Sequence, residues 1–209
     1  MKQFVEDLNY LKYTVFHPFD AFYEIKWRGK GNMLLATLLL AIYSIVQVIS
    51  YQYTGYIINE NALFEMNSIA IVTIALAPLF LFMISNWSVS TLYNGKAKIK
   101  DLYVLVSYSL LPIIVFNVIT VLLSNIIIME EASLVISFNT MGTIWFLFLM
   151  FTGLTTMHEF TLKENIMTLL ATAVAAIIII FLCVLYFSLM EQVINFVTTI
   201  SQEFMRRWW

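Results

Sequence analysis

The chain has 209 residues, of which 61% are hydrophobic and only 11% are charged, and its formal net charge is −2. Soluble domains carry about 25% charged residues, so this composition excludes a soluble domain beyond the first thirty or so residues. The small negative charge gives no basis for binding nucleic acid. The single cysteine, Cys183, has no partner for an intrachain disulfide.

Residues 1–32 are charged throughout, and we expect them to form a pair of short amphipathic helices rather than a cleavable signal peptide. Apolar side chains recur there at steps of three and four, which is typical of one helix face: Phe4, Leu8, Leu11 and Val15. Pro18 suits the first position of a second helix, where Phe19 and Phe22 continue an apolar face. Such helices dock on lipid or a partner, or they pack on the protein's own membrane domain. The sequence leaves both interpretations open.

Five stretches without a charged residue follow, and each is longer than the roughly 18 residues that cross a bilayer. They are Met33–Ile58, Met66–Gly95, Leu102–Met129, Ala132–Met157 and Asn165–Met190. Their apolar residues do not alternate as barrel strands do, and hydrocarbon requires internally bonded backbone. The sequence therefore predicts an all-α integral membrane protein. Its 33–190 domain has five transmembrane helices, at about 33–58, 66–93, 102–129, 137–157 and 166–190.

Residues 191–209 are predicted to form a short amphipathic helix at the membrane interface. An apolar stripe recurs at helical steps: Val193, Val197, Ile200, Phe204 and Trp208. The terminal Trp208 and Trp209 suit the boundary between lipid and water. A plain extension of the fifth span is the alternative.

The basic residues set the expected orientation. Nine of the eleven lie before the first span or in the loops after spans two and four. Loops 59–65 and 130–131 contain only acidic charges. The positive-inside rule therefore predicts a plasma-membrane protein with its N-terminus in the cytoplasm and its C-terminus outside.

Two histidines, His17 and His158, are the candidates for chemistry. His158 and Glu159 mimic the start of a zinc-protease motif, but Leu162 stands where the second histidine belongs. A site of His17, His158 and Glu159 offers fewer ligands than a metal usually takes. We expect no enzyme activity, no metal and no cofactor, with His158 and Glu159 capping the fourth span or facing water.

No charged residue lies deep inside a span, although such residues usually mark ion and proton paths. The uncharged polar residues there tend to hydrogen-bond between helices: Gln47, Asn86, Ser107, Ser109, Asn117, Asn125 and Asn139. Pro78 and Pro112 are expected to kink spans two and three. Tyr108 is expected to pack on another span, with a polar partner for its hydroxyl.

The loop after the second span is expected to begin with a helix end at Asn94–Gly95, and Asp101 can cap the start of the third span. Three lysines between them either keep the loop in the cytoplasm or bind anionic lipid head groups: Lys96, Lys98 and Lys100.

Four motifs in a fixed order carry a resemblance to a known family. They are His17–Pro–Phe–Asp–Ala–Phe–Tyr–Glu–Ile25, Asn94–Gly–Lys–Ala–Lys–Ile–Lys–Asp–Leu–Tyr103, Ser107–Tyr–Ser–Leu–Leu–Pro112 and His158–Glu159. With the five-span order they resemble the Yip family, the Ypt/Rab-interacting membrane proteins, and in particular its bacterial branch. The candidate interaction or family-motif positions are Pro18, Phe19, Phe22, Gly95, Tyr108, Pro112, His158 and Glu159.

The resemblance implies five spans and a cytoplasmic N-terminus. Eukaryotic members act in vesicle traffic and bind prenylated small GTPases. This chain lacks their long N-terminal region, and Asp101–Leu–Tyr103 is followed by Val104 instead of the Gly–Pro of their motif. The resemblance therefore does not imply that this chain binds small GTPases. For bacterial relatives the family implies a membrane protein accessory to transporters or envelope stress responses.

The sequence thus predicts a non-enzymatic bacterial membrane protein that contacts lipids and binds or organises other membrane proteins. A small permease or channel with a weakly polar path is the alternative, and a membrane-embedded lipid enzyme using His158 and Glu159 is the third. A permease requires a continuous polar face through several spans. An enzyme requires both histidines and Glu159 in one cleft. A binding protein requires a closed bundle with an exposed apolar groove.

Overall fold

The computed structural model describes residues 2–59, 61 and 66–208, and over these it is helical with no strand. The α-helices are α1 (Lys2–Phe16), α2 (Pro18–Arg28), α3 (Met33–Tyr53), α4 (Ser68–Leu92), α5 (Ile99–Ser109), α6 (Leu111–Ser124), α7 (Ala132–His158) and α8 (Leu162–Trp208). A short 3-10 helix, Met129–Glu131, precedes α7. Five segments of the described chain are long and apolar enough to cross a membrane: Met33–Tyr53, Ser68–Leu92, Ile99–Ser124, Met129–His158 and Leu162–Arg206. The prediction of an all-α fold with five spans is confirmed. Glu60 and Glu65 of the first loop lie outside the described residues.

The third span is broken in its middle. Helix α5 ends at Ser109 and α6 begins at Leu111, with Pro112 in the first turn of α6. Proline has no backbone N–H to donate, and its ring disfavours helical backbone at the preceding residue. The kink predicted at Pro112 therefore takes the form of a break between two helices. Helix α4, by contrast, continues through Pro78.

Helices α1 and α2 form an antiparallel hairpin that packs along the bundle. The Tyr10 hydroxyl of α1 donates to the Ala21 carbonyl of α2 at 2.8 Å. Leu11 is buried, whereas Leu8 remains 45% exposed, and the Phe4 side chain lies outside the described residues. Phe22 is fully buried against α7. Of the two interpretations of this segment, the structure thus favours packing on the protein's own bundle.

Helix α8 runs for 47 residues, about 70 Å at 1.5 Å per residue. The sequence analysis placed a separate short helix over 191–209, but residues 191–208 continue α8 without a break. The reason is that the chain has no glycine after Gly153 and no proline after Pro112, so nothing interrupts the backbone hydrogen bonds. The first turns of α8 pack on the bundle, while every residue from 180 to 206 is exposed.

Uncharged polar groups and one close glycine contact join the spans. The hydrogen bond between helices predicted for Asn86 is present, since its amide donates to the Thr172 hydroxyl of α8 at 3.1 Å. After α3, the Gly55 backbone N–H donates to the Ser124 hydroxyl at the end of α6 at 2.8 Å. A Cβ on Gly55 would lie 1.9 Å from the Ser124 carbonyl oxygen. Only glycine therefore permits this close approach of the two chain segments.

Candidate functional site

Most of the family-motif positions converge on one end of the bundle. We call it the hairpin end, and it comprises the α1–α2 hairpin, the loop 93–98 and the turn between α7 and α8. Pro18, Phe22, Tyr108 and His158 are buried there. Glu159 is exposed, and so is Phe19, of which 55% is exposed on the outer face of α2.

The loop 93–98 is shaped by two adjacent residues, Asn94 and Gly95. Asn94 adopts the left-handed conformation with a φ of 57°, and the Gly95 N–H donates to the Ser90 carbonyl at 2.8 Å. This six-residue hydrogen bond closes α4 as expected of a helix end. Gly95 has a different role, because a Cβ there would lie 2.4 Å from Nδ1 of His158. The glycine lets the loop rest directly on the imidazole.

His158 and Glu159 were expected to cap the fourth span or to face water, and this is wrong for His158, whose side chain is only 1% exposed. Its Nδ1 accepts a hydrogen bond from the Ala97 N–H at 3.4 Å, and its ring stacks on Phe160 with centroids 4.8 Å apart. Accepting at Nδ1 requires the neutral ring with its proton on Nε2. The expectation is met by Glu159, which caps α7: its φ of 57° allows the Phe160 N–H to reach the Thr155 carbonyl at 3.1 Å.

Ion pairs connect α2 to this loop and to the end of α7. The Lys26 side chain is 8% exposed, pairs with Asp101 and donates to the Lys96 carbonyl at 2.6 Å. Asp101 also accepts from the Lys98 N–H at 2.8 Å, which confirms that it caps the start of the third span. Lys96 pairs with Glu159 in a more exposed position. Three elements distant in sequence are therefore tied by a short chain of charges.

Tyr108 connects the third span to the start of the first. It is 1% exposed, and its hydroxyl accepts the Asn32 N–H at 3.1 Å, so the predicted polar partner exists. Asn32 caps α3 by accepting from the Leu34 N–H at 2.9 Å, and its amide donates to Asp7 of α1 at 2.7 Å. The sequence analysis missed Asn32, although an asparagine directly before an apolar helix is a common N-cap signal.

A second charged group lies on the outer side of the hairpin, around Glu24. Lys30 donates to this carboxylate at 2.7 Å and Arg28 at 2.8 Å. The hydrogen bond from Lys30 is the largest cause that lowers the pKa of Glu24 below its ordinary value of 4.5. Burial, followed by the neighbouring Glu24 charge, raises the pKa of the Tyr10 hydroxyl. The Tyr10 hydroxyl of α1 also donates to the Glu24 carboxylate at 3.4 Å, and this contact joins the two helices of the hairpin on its solvent side.

The two histidines are far apart in this arrangement. His17 lies in the hairpin turn, where its ring stacks on Tyr13 with centroids 4.9 Å apart. His158 lies by the loop that Lys26 contacts, near the other end of α2, and an 11-residue helix is about 16 Å long. Among the described residues no group of three or more His, Cys, Asp or Glu side chains could hold a metal. The set His17, His158 and Glu159 is therefore not assembled into one cleft.

Polar side chains inside the spans lie in several separate places. Asn86 contacts Thr172 between α4 and α8, and the Asn165 amide of α8 donates to the Thr155 hydroxyl of α7 at 2.7 Å. A cavity of about 160 Å³ near the opposite end of the bundle is lined in part by Ser50, Asn117 and Thr120. An apolar groove of about 410 Å³, which we call the α8 groove, lies between α4, α7 and α8. Its lining residues include Leu79, Phe82, Leu147, Met150 and Leu169.

Five apolar helical spans with a docked N-terminal hairpin define a multi-pass helical membrane protein. The Yip1 domain family model matches residues 12–185, and the chain belongs to this family. The match starts within α1 and ends within α8, so it includes α2, the loop 93–98, the turn between α7 and α8 and most of the described bundle. Comparisons with curated proteins and with solved structures gave no significant match. The resemblance to the Yip family stated from the four motifs is confirmed at the level of the family.

Proposed function

We propose that this Yip1-family protein is a non-catalytic membrane protein that binds another membrane protein through the α8 groove. The observation that carries the proposal is the exposure of α8, in which every residue from 180 to 206 lacks cover from the bundle. A long apolar helix with one end anchored and the rest uncovered offers a surface for a second transmembrane helix. Its contact with α4 near Thr172 fixes the position of this surface relative to the bundle.

The α8 groove lies next to the anchored part of α8, since Leu169 is the residue of α8 in its lining. A partner helix in the groove can continue along the uncovered part of α8. Lipid tails are as apolar as these side chains, so helices associate in membranes through close packing rather than through exclusion from water. A groove of about 410 Å³ walled by three helices provides such packing for the side chains of a partner helix. The separation of His17 from His158 and the scattered positions of the polar side chains support binding over lipid chemistry or transport.

We further propose that the hairpin end faces the cytoplasm of a bacterial cell and that the membrane is the plasma membrane. Lys26, Lys30 and Lys96 all lie at this end, and the loop after Tyr53 has no basic residue. Basic residues are retained on the cytoplasmic side during membrane insertion. A partner would then meet the groove from within the bilayer.

Photocrosslinking in native membranes tests the binding proposal. A benzophenone amino acid at Leu147, which lines the groove and is 57% exposed, should give a discrete crosslinked product. The same probe at Phe148, 50% exposed on an adjacent face of α7, is the matched control and should give none. Filling the groove with Leu169→Trp should remove the Leu147 product. Equal products at both positions, or none at Leu147, would refute the proposal.

A further inference from the structure

A second apolar cavity lies under the tip of the hairpin, and we call it the Lys12 pocket. Its volume is about 350 Å³, within the range of roughly 300–1,000 Å³ that is usual for ligand pockets. Val15 and Phe16 of α1 form one wall, and Pro112, Val115 and Phe116 of α6 with Trp145 of α7 form the others. Lys12 is the charged residue in the lining.

The pocket lies beside the junction of the two helices of the third span. The regular helical hydrogen bonding is interrupted at Leu110, and Leu111 and Pro112 in the first turn of α6 line the pocket. The tip of the hairpin is held beside this junction by Trp145, whose indole N–H donates to the Val15 carbonyl at 3.4 Å. Phe16 packs edge-on against the same ring, with centroids 6.4 Å apart. The walls are therefore set by contacts between three elements.

The pocket lies where the apolar layer begins. The first span starts after Asn32, whose N–H contacts the Tyr108 hydroxyl, so these two residues mark one level of the bundle. Leu111 follows Tyr108 by three residues, which is about 4.5 Å deeper along a helix. Lys12 lies one helical turn before Phe16 in α1, and it is therefore closer than Phe16 to the membrane surface. Its flexible side chain can therefore keep the ammonium in the head-group region while its stem covers apolar surface.

Lys12 also has a free charge. It is exposed and forms no ion pair or hydrogen bond with the described side chains, whereas Lys26 and Lys30 are each paired with a carboxylate. A cation at the mouth of an otherwise apolar cavity matches a molecule with a negatively charged head and a hydrocarbon tail. Zwitterionic lipids bring a second, positive charge to the same place.

We propose that the Lys12 pocket binds an acyl chain of an anionic phospholipid, with the lipid phosphate on the Lys12 ammonium. This site is separate from the α8 groove, because the two have no lining residue in common. One lysine near an anionic membrane surface corresponds to about a fivefold preference, so we expect anionic lipid to outcompete zwitterionic lipid by roughly that factor.

Fluorescence quenching tests the proposal, because Trp145 lines the pocket. Trp27, Trp87, Trp208 and Trp209 are replaced by phenylalanine, and the full chain is reconstituted in phosphatidylcholine vesicles. Brominated phosphatidylglycerol should half-quench Trp145 at about a fivefold lower mole fraction than brominated phosphatidylcholine does. Lys12→Gln should remove this difference and Lys12→Arg should keep it.

A second single-tryptophan protein that retains Trp87 is the control, since Trp87 is 46% exposed on α4 outside the pocket. It should be quenched equally by the two lipids. Val115→Phe should lower quenching of Trp145 by both lipids without changing the thermal unfolding midpoint. Equal quenching of Trp145 by both lipids, no quenching, or a preference that survives Lys12→Gln would each overturn the proposal.

Discussion

Gly95 and His158 share a space that admits either a methyl group or an imidazole, but not both. A Cβ on Gly95 would lie 2.4 Å from Nδ1, the atom that accepts the Ala97 N–H. The same Cβ would lie 2.9 Å from the Ser90 carbonyl oxygen. The ends of α4 and α7 can therefore pack this closely only because residue 95 has no Cβ.

Gly95→Ala should lower the free energy of unfolding by about 1–3 kcal/mol, the usual cost of overpacking a filled site. The imidazole has to move, and the hydrogen bond from Ala97 is lost with it. Thermal unfolding in detergent micelles measures the effect. In a His158→Ala background the same substitution should cost less, because the contact with Ser90 is then the main one left. Equal costs in the two backgrounds would show that the residues are not coupled.

Lys26→Met should be far more damaging than Lys96→Met. The Lys26 side chain is 8% exposed. Its loss leaves the Lys96 carbonyl without this donor and removes the ammonium from Asp101, which keeps only the hydrogen bond from the Lys98 N–H. Breaking a buried pair from one side costs about 3–5 kcal/mol, and Asp101 is partly solvated, so we expect about 3 kcal/mol. Lys96 is 51% exposed, and exposed pairs contribute about 0–1 kcal/mol. Comparable unfolding midpoints for the two variants would contradict this ranking.

Tyr108→Phe should destabilise the protein by about 1–2 kcal/mol. The substitution removes the acceptor of the Asn32 N–H while keeping the ring, so a polar group is left unsatisfied. Tyr23→Phe, at a residue that is 50% exposed, is the matched control and should change stability by less than about 0.5 kcal/mol. The two chemically identical substitutions are compared by their thermal unfolding midpoints.

The hairpin should loosen in acid through Glu24. The folded-state pKa of this carboxyl lies below its ordinary value of 4.5, chiefly because of the hydrogen bond from Lys30. Its stabilising contribution is therefore present above about pH 4.5 and is lost as the pH falls through the lower folded-state value. Glu24→Gln should flatten the pH dependence of the unfolding midpoint in that window. An unchanged slope in Glu24→Gln would exclude this role.

The proposed orientation can be measured by cysteine labelling in intact cells. Cys183 is exposed and is first replaced by serine. An impermeant thiol reagent should then label a cysteine at Asn61 and spare one at Lys100, two exposed positions on opposite sides of the proposed membrane. Labelling at Lys100 but not at Asn61 would invert the topology.

The five spans were predictable because length and apolarity alone decide whether a helix can cross hydrocarbon. The break near Pro112 was partly predictable, since proline disfavours helical backbone before it. The continuation of α8 to residue 208 was not predicted. The polar stripe from Gln192 onward shows that one face of this segment is exposed, but it does not show that the helix breaks before it. The absence of glycine after Gly153 and of proline after Pro112 was the better signal for one continuous helix.

The hairpin end was less accessible to sequence reasoning. His158 is buried by Ala97, which lies 61 positions earlier in the chain. The contact of Lys26 with Asp101 spans 75 positions. The spacing of residues within one helix gives no information on contacts between residues so far apart in the chain. A histidine at a helix end was therefore expected to be exposed to water. Gly95 was chosen as a family-motif position, but its contact with the imidazole follows only from the fold.

The unbroken α8 also has a mechanical consequence. Between Thr172, where it last packs in the buried interface, and Arg206 lie 34 residues, a rod of about 51 Å. A tilt of roughly 5° at its base would move the far end by about 4 Å on this geometry. A small change in the direction of α8 at the Asn86–Thr172 contact would therefore displace its far end by several times the shift at the contact.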